Sequence, residues 1–170
     1  MLIRAEEKKD WASVHAVNAS AFEAPAEADL VDTLRDQAQP VVSLVAAEEE
    51  DGAIVGHIMF SPVTLPGFPE LKIMGLGPMA VIPGYQGQGI GSALVRAGLK
   101  QCRQIGFGAL VVLGHQEYYP RFGFTPSAQS GIGCEYDVPE EVFMVLELDD
   151  GYLHGASGKV EYHAAFKNIV

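Results

Sequence analysis

Gln86-Gly87-Gln88-Gly89-Ile90-Gly91 sets three glycines at alternate positions just ahead of a run with helical apolar spacing. Glycine leaves the backbone uncovered, and a helix start carries unpaired N–H donors and partial positive charge. The chemistry such a loop suits is the holding of phosphate. Spacing excludes two familiar versions. A dinucleotide fingerprint needs Gly-x-Gly-x-x-Gly and an acidic residue near the end of the next strand; after Gly87 and Gly89 the sixth position is Ser92, and no such acid follows. A nucleoside-triphosphate loop needs Gly-Lys-Ser/Thr, and none occurs. The same glycines would also serve a turn that merely lets a helix pack closely.

The elements around the loop decide how it is presented. Upstream, Leu71 to Val81 reads as a central strand, and Gly75, Gly77 and Pro78 inside it imply a bulge or a splay, because proline cannot donate to a ladder. Downstream, Ile90, Leu94, Gly98 and Cys102 share one face of a helix that runs to about Ile105, with Arg96, Lys100 and Arg103 on another. Ala109 to Leu113 is a continuous apolar strand. Before this unit, Leu2 to Arg4 reads as a short strand, Asp10 to Phe22 and Glu27 to Gln37 as helices, and Val41 to Ala47 with Ala53 to Val63 as an antiparallel hairpin across the acidic turn Glu48 to Gly52. After it come a turn near Tyr118 to Phe122 and late strands at Val142 to Leu148 and Lys159 to His163. Hairpin, strand–helix–strand and late strands predict a mixed sheet flanked by helices, α/β in the α+β sense.

At 170 residues, 48% of them hydrophobic, the chain suits one domain with a substantial core. The reading is a single domain over 1–170, with 149–170 extending the sheet at the C-terminus. A net charge of −11 argues against nucleic acid, whose binding needs a basic surface. It fits solubility first and a cationic small substrate second. Two cysteines, Cys102 and Cys134, are too few for a disulfide scaffold and lack metal spacing, so no metal is expected. No signal peptide and no apolar run of membrane length is recognised, which predicts a cytoplasmic protein without a membrane partner.

The segment from Met79 to Leu94, Met-Ala-Val-Ile-Pro-Gly-Tyr-Gln-Gly-Gln-Gly-Ile-Gly-Ser-Ala-Leu, resembles the acetyl-CoA motif of the GNAT N-acetyltransferase superfamily, Arg/Gln-x-x-Gly-x-Gly/Ala after a strand and an apolar-x-Pro segment. Gln86, Gly89 and Gly91 match it. Further on, Tyr119, Gly123 and Phe124 match the family's Tyr-x-x-x-Gly-Phe segment. The likeness follows the order of elements from 2 to 148 and is strong over 71–126. Tyr118-Tyr119, the His115 region and the tail from Gly158 to Phe166 are similar to a bacterial branch of predicted acetyltransferases of the YhbS type.

The resemblance implies a GNAT-like fold, acetyl-CoA as acyl donor, and direct transfer of acetyl to a primary amine, either a small molecule or a peptide amine; a homodimer is left open. It implies that Gly87, Gln88, Gly89, Ile90, Gly91 and Ser92, led by Gln86, hold the CoA pyrophosphate. Met79, Ala80 and Val81 would pair with the pantetheine arm like an added strand. Tyr119 would be the catalytic residue, its phenol, of ordinary pKa about 10, protonating the departing thiolate; Tyr118 is the substitute. Two departures from the family pattern stand out. Pro120 directly follows Tyr119, which predicts an extended Tyr119. The asparagine often found after the fifth strand is replaced by Gly114-His115. No base is singled out: Glu117 and His115 lie near the site in sequence, Glu70 and His57 lie on or beside nearby strands, and ordered water is the alternative. Cofactor-holding without catalysis, and a dinucleotide oxidoreductase, are the rival classes.

Overall fold

Seven strands in the order β1-β2-β3-β4-β5-β8-β6 form the sheet that carries the loop. The computed structural model describes residues 1–22 and 25–168. The chain runs β1 (Leu2–Ala5), α1 (Trp11–Ala21), α2 (Ala26–Gln37), β2 (Val42–Ala47), β3 (Ile54–Val63), β4 (Ile73–Val81), α3 (Ile90–Gln104), β5 (Ala109–Leu113), β6 (Thr125–Pro126), β7 (Ile132–Cys134), β8 (Phe143–Glu147) and β9 (Gly158–Val160). Only β4 and β5 pair in parallel within the large sheet, because the α3 crossover joins them; β1 to β4, β5 with β8 and β6 with β8 are antiparallel.

Alternation along the strands builds two apolar layers. Val45, Met59, Ile73 and Val111 face Val14 of α1 and Leu30 and Leu34 of α2. Ile58, Phe60, Met74 and Leu110 face Leu94, Val95 and Cys102 of α3. The contact with α3 is close at Gly98: a Cβ there would lie 2.1 Å from Phe60 Cε1. Cys102 is fully buried in this layer, and burial pushes its thiol up to about 12.

The splay predicted from Gly77-Pro78 is present. The β3–β4 register steps from Phe60↔Leu76 to Ile58↔Met79, so β4 carries one extra residue where Gly77 and Pro78 stand. Gly77 sits at φ 139°, open to glycine and strained for other residues. On the other side, the β4–β5 ladder ends at Leu76↔Val112. Beyond it, past the bulge at Gly77 and Pro78, the edge of β4 from Met79 to Val81 pairs with β3 alone among the described residues.

Two expectations are corrected. The C-terminal segment adds no strand to the large sheet: β9 pairs in parallel with β7 in a separate two-stranded sheet, and it meets the large one through a single Thr64↔Glu161 bridge. The loop from β5 to β8 already supplies β6 to the sheet edge, and β7 is the strand left to take β9. Residues 169–170 of the expected extension lie outside the described residues. Tyr119 is not extended either. It opens a 3-10 turn, Tyr119–Phe122, with Pro120 in the first turn, where a missing N–H breaks no helical bond.

Candidate active site at the parted strands

The loop is held from below by side chains and leaves its upper backbone free. Gln86 Nε2 donates to Val81 O at 2.9 Å, tying the loop back to the end of β4. Gly87 and Gly89 lie at φ 77° and 84°, so both need glycine, and Gly89 caps α3. The Ala93 N–H donates to Gly89 O at 3.0 Å and is the first to enter the helix ladder. The N–H groups of Ile90, Gly91 and Ser92 therefore stand at the orphan end of the helix, beside the exposed Gly87, Gln88 and Gly89. Such a row of donors at a helix start is suited to a phosphate diester or anhydride. Met79 leans from β4 toward the same point, its Sδ and Cε 3.7 Å from where a Gly91 Cβ would be. Ala80 and Val81 continue the open edge toward the loop.

The two tyrosines divide. The Tyr118 hydroxyl meets Ser92 Oγ at 3.0 Å in the first turn of α3. Its ring is stacked under the Arg121 guanidinium at 4.4 Å, and Arg121 Nε donates to Tyr118 O at 2.8 Å. Tyr119 turns the other way and is buried, edge-on to Phe124 at 5.7 Å and to Tyr118 at 5.1 Å. Gly114 makes its room: a Cβ there would lie 2.3 Å from the Tyr119 ring. The His115 carbonyl accepts the N–H groups of both tyrosines, at 3.0 and 3.3 Å, so the Gly114-His115 pair shapes the turn through its backbone. Burial, with the neighbouring Tyr118, pushes the Tyr119 phenol up to about 12.

Where β4 and β5 part, a cavity of about 430 Å³ opens, within the size range of small-ligand sites. Leu76, Gly77, Pro78, Met79, Gly114 and Tyr119 line its sheet side. Its far wall comes from elements distant in sequence: Glu27 and Leu30 of α2, Tyr136 after β7, and Tyr162 after β9. Glu27 Oε2 and the hydroxyls of Tyr136 and Tyr162 are each buried without a hydrogen-bond partner among the described residues. An unmatched buried polar group costs about 1–3 kcal/mol, and a charged one more. Burial first, then Glu135, pushes the Tyr136 phenol up to about 12, and burial drives Tyr162 well above the ordinary range.

The four base candidates separate. Glu70 and Glu117 are exposed and do not line the cavity. His115 lines it and is exposed. His57 is fully buried between α1 and the sheet, away from the cavity lining. Asn18 Nδ2 donates to Val14 O at 3.0 Å, which fixes the amide and points its other hydrogen at His57 Nδ1, 3.1 Å away. Nδ1 is therefore the acceptor, and Nε2–H donates to Ser43 Oγ at 2.9 Å. Burial, aided by the Arg35 charge, lowers His57 to about 3 and keeps it neutral. Glu27, Tyr136 and Tyr162 were not singled out as site residues in the sequence; no motif marks them. Elsewhere, His15, Asp29 and Asp32 bring ligand-type atoms within 4.8 Å on the surface, where His15 and Asp32 pair at 2.8 Å.

A sheet parted along its central parallel pair, with a glycine-bordered helix start at the opening, is the architecture of the GNAT acetyltransferases. The family model described as Acetyltransferase (GNAT) family matches residues 11–124, and the chain belongs to that family. It is similar to the uncharacterized N-acetyltransferase YhbS of Escherichia coli K12, 39% identical over 169 residues that cover 99% of this chain and 100% of that one. The crystal structure of E. coli YhbS in complex with CoA superposes with a TM-score of 0.92 at 37% identity, covering 99% of this chain and 93% of that chain. A GNAT family acetyltransferase from Brucella melitensis, crystallised with acetyl-CoA, superposes with a TM-score of 0.79 at 38% identity and covers 97% of both chains. Among the described residues, no helix is long and apolar enough to cross a membrane.

Proposed function

We propose that the protein transfers the acetyl group of acetyl-CoA directly to a primary amine. The observation that carries this reading is continuity: the free N–H row at Gly87 to Ser92, the unpaired edge of β4 and the cavity with Tyr119 follow one another along a single opening in the sheet. Relatives that hold CoA or acetyl-CoA share this fold at more than 35% identity.

Gly87, Gln88, Gly89, Ile90, Gly91 and Ser92 hold the pyrophosphate through backbone N–H groups, and Gln86 fixes the loop that presents them. Met79, Ala80 and Val81 receive the pantetheine amides on the open edge. The acceptor is a small-molecule or peptide amine. A protonated amine loses two protons in becoming an amide. The nitrogen lone pair forms the C–N bond, the C–S bond breaks, and the electron pair leaves on sulfur. One proton reaches that sulfur from the Tyr119 phenol, which recovers it from the new amide nitrogen, and the other is released. Burial keeps the phenol protonated through the working pH range, ready to donate.

The test is release of free thiol from acetyl-CoA across polyamines, aminoglycosides, amino acids, alkylamines and peptides. One CoA thiol per amide formed is expected with at least one amine class. Tight CoA binding without turnover on any amine would replace this reading with a cofactor-binding, non-catalytic domain.

A further inference from the structure

The far wall of the cavity has a composition that apolar packing does not account for. Among the described residues, its unpartnered groups are a carboxylate oxygen of Glu27 and the phenols of Tyr136 and Tyr162, the last only 8% exposed. An ionised carboxylate can only accept hydrogen bonds. Tyr136 and Tyr162 stack at 5.9 Å and 29° and bring two aromatic faces to the same wall. Glu135, whose carboxylate accepts the Tyr162 N–H at 3.2 Å, adds a second negative charge close to both phenols. Between these polar points the lining is apolar, from Phe22, Leu30 and Phe166. The missing partner must bring N–H donors and positive charge at one end and a compact apolar body at the other.

From this juxtaposition we infer that the wall is the acceptor subsite and takes a small protonated primary amine with an alkyl or aryl stem and no carboxylate beside the nitrogen. Glu27 Oε2 accepts the ammonium hydrogen bonds, the phenol oxygens of Tyr136 and Tyr162 complete its shell, and the apolar lining holds the stem. A carboxylate on the substrate, as in an α-amino acid, meets the Glu27 carboxylate, with the Glu135 charge close to both phenols, and is rejected. The inference rests on the transferase reading for its use in catalysis. There Glu27 takes the proton that is released, which frees the nitrogen lone pair for attack while the second proton passes through Tyr119 to sulfur.

The experiment is calorimetric titration of phenethylamine, n-butylamine and phenylalanine onto the protein saturated with CoA, with thiol release measured on the same amines. Phenethylamine and phenylalanine differ by the carboxylate alone. Wild type is expected to bind at least one of the two simple amines and to bind phenylalanine at least tenfold more weakly than phenethylamine. Glu27→Gln weakens amine binding at least tenfold with CoA affinity unchanged. Tyr136→Phe weakens it severalfold and serves as the second variant should Glu27→Gln melt early. Binding of neither simple amine, equal binding of phenethylamine and phenylalanine, or an unchanged Tyr136→Phe together with an unchanged Glu27→Gln overturns the inference. Glu27-dependent binding with no thiol release upholds the subsite and removes the transferase reading. Thiol release that Glu27→Gln leaves intact does the reverse.

Discussion

The two ends of the opening are built from different materials. The loop end, Gln86 to Ser92, is backbone: seven consecutive residues, three of them glycine, at the start of one helix, with Gln86 to Gly89 exposed. The cavity end is side chain: Glu27, Tyr119, Tyr136 and Tyr162, drawn from four separated segments around one cavity. A backbone site reads a feature common to all carriers of one cofactor, so it needs geometry and tolerates little change of side chain. A side-chain site reads one acceptor and varies with each residue that enters it. On the proposed reading Tyr119 stands at the junction, and it is the place to break the contrast first. Tyr119→Phe should lower kcat about 100-fold or more. The ring keeps its packing against Phe124, so melting temperature and the KM for acetyl-CoA should stay put. Steady-state kinetics beside a thermal melt checks this; a change confined to KM would return Tyr119 to a packing role.

The helices on the two faces of the sheet are fastened differently. α1 is tied to the sheet by the Asn18–His57–Ser43 chain; α3 behind the loop is held by apolar contact at Phe60, Leu94 and Gly98. His57 falls from 6.5 unfolded to about 3 folded. Below pH 6.5 the unfolded chain binds a proton that the folded chain refuses. The stabilisation is therefore complete above pH 6.5 and is lost as pH falls from 6.5 toward 3, at about 1.4 kcal/mol per pH unit. By pH 5 the loss should reach about 2 kcal/mol. Urea denaturation at pH 7 and pH 5 should show that difference in wild type and a flatter one in His57→Gln, since the other titrating groups are common to both. Hydrogen exchange at pH 5 should open α1 before α3; equal opening of the two would remove the contrast in fastening.

The same contrast explains what was legible in the sequence. Elements with strong periodicity or punctuation came through within one or two residues: α3 from its apolar face, β5 from its unbroken apolar run, the splay from Gly77-Pro78. The loop was legible because its work is done by consecutive residues. The individual residues of the far wall were not. Tyr162 reads as any apolar residue of a late strand, and only folding reveals that its ring occupies the space a side chain at Gly75 would need, 2.8 Å from that Cβ position. The segment after 148 was misassigned because pairing to β7 rather than to the large sheet depends on which edge remains open, and that is a long-range fact. Tyr119 was misread because the bias that proline imposes on its predecessor yielded to a turn capped by the His115 carbonyl.

At the loop end, Gly89→Ala should act on the donor alone. The left-handed φ of 84° costs a side chain about 1–2 kcal/mol, and relaxation of that strain tilts the first N–H groups of α3. The KM for acetyl-CoA should rise roughly tenfold, with the KM for the amine unchanged. Initial rates with each substrate varied in turn separate the two; a matching rise in both would mean that the ends are not independent.

Ser92→Ala is the finest test of the same separation. It removes the hydrogen bond between Ser92 Oγ and the Tyr118 hydroxyl, 3.0 Å apart. Such a bond contributes about 0.5–1.5 kcal/mol net. The Tyr118 ring stays clamped by the Arg121 stack and by the Arg121 Nε bond to its carbonyl, so the turn carrying Tyr119 should hold its place. The expected result is a loss of roughly threefold in acetyl-CoA affinity with kcat nearly unchanged. Tyr118→Phe should match it, and the double variant should be no worse than either single one, because both remove the same bond. A fall in kcat instead would show that Ser92, through Tyr118 and the edge-on contact between the rings at 5.1 Å, positions the Tyr119 phenol, and the backbone end would then reach into the side-chain end.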